Sequence, residues 1–175
     1  DDDVKNQGEA DMDCGGPCPG CVDGKDCGAP EDCASSTCWQ STCVSCQDGL
    51  KNGTETDMDC GGDCETCVDG KGCGAATDCA SGDCWQSTCV SCEDAKKNSG
   101  ESDVDCGGGC TACVDGKSCG ADADCTSSNC WQSTCVSCAD GLKNDSETDV
   151  DCGGDCGTCA LGKDCASASD CASGG

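Results

Sequence analysis

A Cys-Gly-Gly step recurs at Cys14, Cys60, Cys106 and Cys152, 46 residues apart each time, and every other cysteine keeps the same period without insertion or deletion. One period contains Cys60, Cys64, Cys67, Cys73, Cys79, Cys84, Cys89 and Cys92, with 3, 2, 5, 5, 4, 4 and 2 residues between them. A further 13 residues lead to the next period. A self-similarity of this length is the mark of a repeat architecture, in which each unit is one small structural module. The repeats run 1–46, 47–92, 93–138 and, as a partial copy, 139–175. The constant length favours units stacked in one fixed geometry, because beads on flexible linkers tolerate insertions. No linker rich in Pro, Gly or Ser separates the units, and Pro occurs only at Pro17, Pro19 and Pro30.

What holds such a unit together follows from what it lacks. The large apolar residues are 9 Val, 3 Leu, 2 Met and 3 Trp, with no Ile, Phe or Tyr in 175 residues. That inventory cannot build one core for the length, and with a net charge of −26 it would leave an ordinary chain disordered. The 29 cysteines reverse the expectation, since covalent loop closure takes the place of apolar burial. The expected fold is therefore small and disulfide-rich: a linear tandem array of 46-residue units with short β pieces and turns, as the Gly-Gly, Asp-Gly and Asn-Gly steps also suggest. Eight cysteines allow 105 pairings, so connectivity within a unit is not readable, and bridges across units are open too. The odd total is explained by the partial fourth repeat, which stops one residue before the period demands another cysteine; the leftover thiol is expected there.

Disulfides at this density need an oxidising compartment, which points to a secreted or cell-surface protein. No signal peptide or membrane span is visible, and the pattern reads as a window of a longer chain. With 35 acidic residues, 9 Lys and no Arg or His, there is no basic patch for nucleic acid. The same charge makes cations expected partners.

The segment before each Cys-Gly-Gly step is the most acidic. Asp48, Lys51, Asn52, Glu55, Asp57 and Asp59 recur as Asp94, Lys97, Asn98, Glu101, Asp103 and Asp105, and as Asp140, Lys143, Asn144, Glu147, Asp149 and Asp151. Recurrent oxygen ligands on a turn suit calcium, and Asp57 and Asp59, two apart on an extended segment, would face the same way. The spacing is not that of an EF-hand, and the alternative is a solvated acidic turn whose carboxylates cap local amides. Asn52-Gly53-Thr54 and Asn144-Asp145-Ser146 are N-glycosylation sequons, whereas Asn6 and Asn98 hold the same position without one, so the asparagine itself reads as structural.

The block from Cys38 to Cys46 is repeated letter for letter at 84–92 and 130–138. Its Trp39, Trp85 and Trp131 are either packed on a disulfide or the next unit, or presented as a row of surface aromatics for lateral association or sugar stacking. Cys18-Pro19-Gly20-Cys21 and Cys43-Val44-Ser45-Cys46 have zinc-knuckle spacing, but the compartment and the absence of His oppose a metal–thiolate cluster. No His, Arg clamp or phosphate loop supports catalysis, and no cofactor beyond calcium is suggested.

The unit Asp-Gly-x-Lys-Asn-Gly-x-Glu-Thr-Asp-x-Asp-Cys-Gly-Gly-x-Cys-x-x-Cys is clearest at 48–67 and 140–159. It resembles cysteine-rich repeats of large secreted or surface proteins of protists, algae and some bacteria. Its firmest part, Asp-x-Asp-Cys-Gly-Gly-x-Cys, stands at 11–18, 57–64, 103–110 and 149–156, and the first repeat departs most from the rest. The resemblance covers the whole chain and implies an extracellular, multi-copy, disulfide-bonded region. Epidermal-growth-factor and tumour-necrosis-factor-receptor modules look more distantly similar, but their cysteine spacing differs. The expected function is a structural one: a rigid rod, stalk or filament of stacked repeats, glycosylated, whose partners are its own neighbouring repeats or lateral chains. The rival is a multivalent adhesion module that uses the Trp-bearing face on glycans or a protein.

Overall fold

The computed structural model describes residues 2–173 and divides into two compact bodies, Asp1–Val90 and Ser91–Gly175. Both are built from the same disulfide-rich motif. Each complete repeat holds one single-turn 3-10 helix and one two-stranded antiparallel hairpin. The helices are η1 (Pro30–Asp32), η2 (Ala76–Asp78), η3 (Asp122–Asp124) and η4 (Ala168–Asp170). The hairpins are β1 (Cys38–Trp39) with β2 (Thr42–Cys43), β3 (Cys84–Trp85) with β4 (Thr88–Cys89), and β5 (Cys130–Trp131) with β6 (Thr134–Cys135). Among the described residues no helix is long and apolar enough to cross a membrane.

The hairpin explains why one nine-residue block is repeated without change. Trp39 pairs with Thr42 and Cys38 with Cys43, leaving Gln40 and Ser41 as a two-residue loop with φ of 48° and 63°. Two successive positive φ values are what a primed hairpin turn needs to match the strand twist. The same values recur at Gln86–Ser87 and Gln132–Ser133. A third extended piece lies beside β2: Lys25 O accepts from the Cys43 amide and the Gly24 amide donates to Cys43 O, each at 2.8 Å.

Sulfur fills the interior. In each complete repeat the first cysteine pairs with the third, as in Cys60–Cys67, and two bridges then interlace, Cys73–Cys84 and Cys79–Cys89. The buried residues around them are themselves cysteines, Cys60, Cys67, Cys73, Cys79 and Cys89, with Cys84 packed on the cluster. The eighth cysteine leaves its own repeat and bonds the second cysteine of the next one, Cys46–Cys64 in the first body and both Cys92–Cys110 and Cys138–Cys156 in the second. The cut between bodies after Val90 therefore places Ser91 and Cys92 with the residues that follow them.

Where the odd thiol sits differs from the sequence expectation. Every cysteine is bridged except Cys18, the second cysteine of the first repeat. In the fourth repeat Cys165 and Cys171, whose counterparts elsewhere bond the sixth and seventh cysteines, bond each other. The physical reason lies in the pairing: the second cysteine is the one position whose partner comes from the preceding repeat.

The two glycines of each Cys-Gly-Gly step are tightly constrained. Gly62 has φ of 62°, and a Cβ there would lie 2.0 Å from the Thr54 carbonyl oxygen. Neither the backbone angle nor the space admits a side chain. Gly62→Ala is therefore expected to lower stability by at least about 2 kcal/mol, measured by chemical denaturation with the disulfides intact. A loss below about 0.5 kcal/mol would show that the turn is free to move.

Candidate functional site at the joint between repeats

The joint is best seen at Cys46–Cys64, where the bridge closes over the acidic segment 47–59. Cys46 and Cys64 have their Cα atoms 5.6 Å apart, with 18 residues of sequence separation. Inside that loop Glu55 is only 9 % exposed. Its Oε2 accepts the Asn52 and Asp59 amides, each at 3.2 Å, and its Oε1 lies 3.6 Å from Cys64 Sγ. Glu101 and Glu147 are buried in the same way, with the Asn98 and Asn144 amides at 3.0 and 3.1 Å. Burying a carboxylate is costly unless its lone pairs are used, and here backbone donors use them.

The other carboxylates of the joint are also acceptors. Asp48 takes the Leu50 amide at 2.9 Å and the Asn52 Nδ2 at 2.8 Å. Asp94 and Asp140 repeat this with Asn98 Nδ2 and Asn144 Nδ2 at 2.7 and 2.8 Å. Asp59 accepts the Gly49 amide at 2.8 Å, matched by Asp105 with Ala95 at 2.9 Å and Asp151 with Gly141 at 2.8 Å. Asp57 accepts the Gly72 amide at 2.5 Å, and Asp103 and Asp149 accept from Ser118 and Asp164, both at 2.7 Å. Asp57 and Asp59 thus serve opposite flanks of the segment instead of facing one way. The cause is local: Asp59 has φ of 58°, so the alternation of an extended strand is broken there.

The contacts of Asp57, Asp103 and Asp149 lower the titration of those three carboxylates. The Ser118 amide, seconded by the Val104 amide and the nearby Lys117, lowers the Asp103 carboxyl to about 2. The Gly72 amide does the same in direction for Asp57 and the Asp164 amide for Asp149. A carboxylate outside the joint is held further below the usual range. Asp124 accepts the Ser102 hydroxyl at 2.5 Å together with the Gly108, Gly120 and Ala121 amides at 2.9, 2.8 and 3.0 Å. Asp32 and Asp78 hold the same three-amide position, tying the Cys-Gly-Gly turn to the 3-10 helix. Sequence reasoning missed these residues, although an Asp precedes the fifth cysteine in all four repeats.

The asparagines of the two sequons, Asn52 and Asn144, donate through Nδ2 to Asp48 and Asp140. Thr54 of the first sequon is engaged as well: its hydroxyl donates to Asp63 Oδ2 at 3.1 Å and accepts the Asp63 amide at 3.2 Å. Trp39 and Trp85 are 38 and 39 % exposed, and Trp131 is half-buried. Trp39 lies between two grooves, one of about 310 Å³ shared with Val44, Gly53, Thr54 and Asp63, the other of about 400 Å³ shared with Gln40, Leu50 and Lys51. Trp39 therefore lines grooves shared with residues of the following repeat and is partly exposed. The Cys27, Cys33 and Cys43 sulfurs converge closely enough for a metal, but all are oxidised in bridges and none is available as a thiolate.

No family model, no curated protein and no solved structure matches this chain.

The carboxylate network makes two testable statements. A carboxylate whose folded pKa is depressed contributes stability above its unfolded value of about 3.9, and that stability is lost as pH falls through the folded value. Carbon-detected NMR titration is expected to give a midpoint near 2 for Asp103, with the joints unchanged between pH 7 and 5 and loosening below about 4. A midpoint at an ordinary carboxylate value would mean that the Ser118 and Val104 bonds do not persist. Calcium gives the second statement. Because backbone and asparagine amides already occupy the joint carboxylates, an excess of chelator is expected to leave the Asn52, Asn98 and Asn144 side-chain resonances in place. Their collapse on chelation would show instead that a bound cation orders the segment.

Proposed function

We propose that this chain is part of an extracellular structural protein, a tandem array whose repeats are covalently locked one to the next so that it can serve as a rod, stalk or filament. The observation that carries this reading is the bridge from the eighth cysteine of one repeat to the second cysteine of the next. A binding protein needs only a stable unit, whereas joints that are each closed by a disulfide and a hydrogen-bonded acidic loop resist extension. The bridge density supports an oxidising, extracellular setting, and the repeat type supports kinship with secreted or surface cysteine-rich repeats. The disulfide-rich build with little regular secondary structure fits a non-catalytic role.

Pulling on single molecules tests the mechanical claim. The intact chain should lengthen little under load. Replacing Cys46 and Cys64 by Ser should add one event of about 45 Å, the length of the chain from Cys46 to Cys60, because the Cys60–Cys67 bridge still shields the residues beyond it. It should also lower stability by about 3 kcal/mol. Free lengthening of the unmodified chain at low force would defeat the proposal.

The half-exposed Trp39 and Trp85 favour a second reading, a multivalent contact face for glycans or a protein partner. Under that reading Trp85→Ala with Trp131→Ala abolishes adhesion while the disulfide map is unchanged.

A further inference from the structure

We propose that Cys18 is the receiving half of another inter-repeat bridge, a covalent docking site for one eighth-position cysteine carried by a repeat of this kind. Its equivalents Cys64, Cys110 and Cys156 all bond such a cysteine, with Cα separations of 5.6, 5.6 and 5.5 Å. The surroundings of Cys18 are those of an assembled joint. Glu9 Oε1 accepts from the Cys18 thiol at 3.2 Å and Glu9 Oε2 accepts the Asn6 amide at 3.0 Å, as Glu55 serves Asn52. Asp2 takes Asn6 Nδ2 at 2.9 Å, as Asp48 takes Asn52 Nδ2.

A second, independent observation is that the face is uncovered. Cys60, Cys106 and Cys152 are 8, 8 and 6 % exposed, and Glu55, Glu101 and Glu147 are buried, while their equivalents Cys14 and Glu9 are only half-buried. At two assembled joints the covering segment is visible in the bonds it makes. The amides of Ser45 and Ser137, each one residue before the eighth cysteine, donate to Asp48 Oδ2 and Asp140 Oδ2 at 3.4 and 3.2 Å. Val44 and Val136, one residue earlier, are 6 and 4 % exposed. Among the described residues no serine amide reaches Asp2. The occupant is therefore a Val-Ser-Cys segment, delivered either by residues upstream in the same chain or by a second chain.

The bond forms by thiol–disulfide exchange. The Cys18 thiolate attacks the eighth-position sulfur of a mixed disulfide with a small thiol such as glutathione; the new S–S bond forms, and the small thiol leaves with the electron pair and takes up the proton. The hydrogen bond to Glu9, burial and the Glu9 charge hold the Cys18 thiol above its ordinary pKa, so exchange there is slow with any disulfide that is not held against it. The site does not depend on the mechanical reading above; a purely adhesive array would be joined in the same way.

The chain is equilibrated in a glutathione redox buffer with a peptide having the sequence of residues 37–46, in which Ser replaces Cys38 and Cys43. A composition-matched peptide with its cysteine moved serves as the competitor, and the remaining disulfides are mapped to confirm an intact fold. The native-order peptide is expected to occupy Cys18 at least about tenfold more than the competitor, a difference of about 1.4 kcal/mol. Equal occupancy would overturn the proposal. Disulfide mapping of the protein from its natural source then distinguishes the donors. An eighth-position partner in the same chain, or in a second chain that appears as a dimer on a non-reducing gel, supports the site. Cys18 found as a thiol, capped by a small thiol, or bonded to any other cysteine position refutes it.

Discussion

With no Ile, Phe or Tyr, this chain cannot be ordered by apolar burial, and everything else in its structure depends on how sulfur replaces it. The cysteines act twice, closing loops and then packing against each other as most of the buried apolar residues. Cys67 and Cys89 are almost wholly enclosed although each repeat is only 46 residues long. Interlacing Cys73–Cys84 with Cys79–Cys89 gathers four sulfurs at one point and clamps the 3-10 helix η2 against the β3–β4 hairpin. A sulfur core also explains why so short a hairpin holds its shape: strands of two residues have too few ladder hydrogen bonds to persist alone.

The second problem is charge. A net charge of −26 over 175 residues would drive an open chain apart, and few lysines are available to balance it. The fold manages this with its own backbone. Asp78, Asp57, Asp59 and Glu55 each collect amide protons from turns that would otherwise lack partners, so negative charge becomes part of the hydrogen-bond accounting. The ion pairs are secondary. Lys71 reaches Asp57 at 3.5 Å from a largely solvated position, where such pairs contribute little.

Much of this was legible from residues alone, and the remainder was hidden for identifiable reasons. The period, the repeat lengths and the disulfide-rich class follow from cysteine spacing. Pairing does not, because spacing is silent about which sulfurs meet, and the bridge from Cys46 to Cys64 is invisible to any unit-by-unit reading. The turn at Gln40–Ser41 lacks the usual Asn-Gly signal and is forced by the flanking bridges. The recurrence of the acidic segment is plain in the sequence, but residue spacing implies an extended strand, and the left-handed residue Asp59 undoes that geometry. Asp32, Asp78, Asp124 and Asp170 carried a signal that was available, an invariant acid beside the fifth cysteine.

The pairing of Cys46 with Cys64 also imposes an order of events. Three bridges of each complete repeat close within that repeat, but the eighth cysteine has no partner until another 18 residues of chain exist. The native bridging of one repeat is thus completed only by its successor, whose second cysteine must be made first.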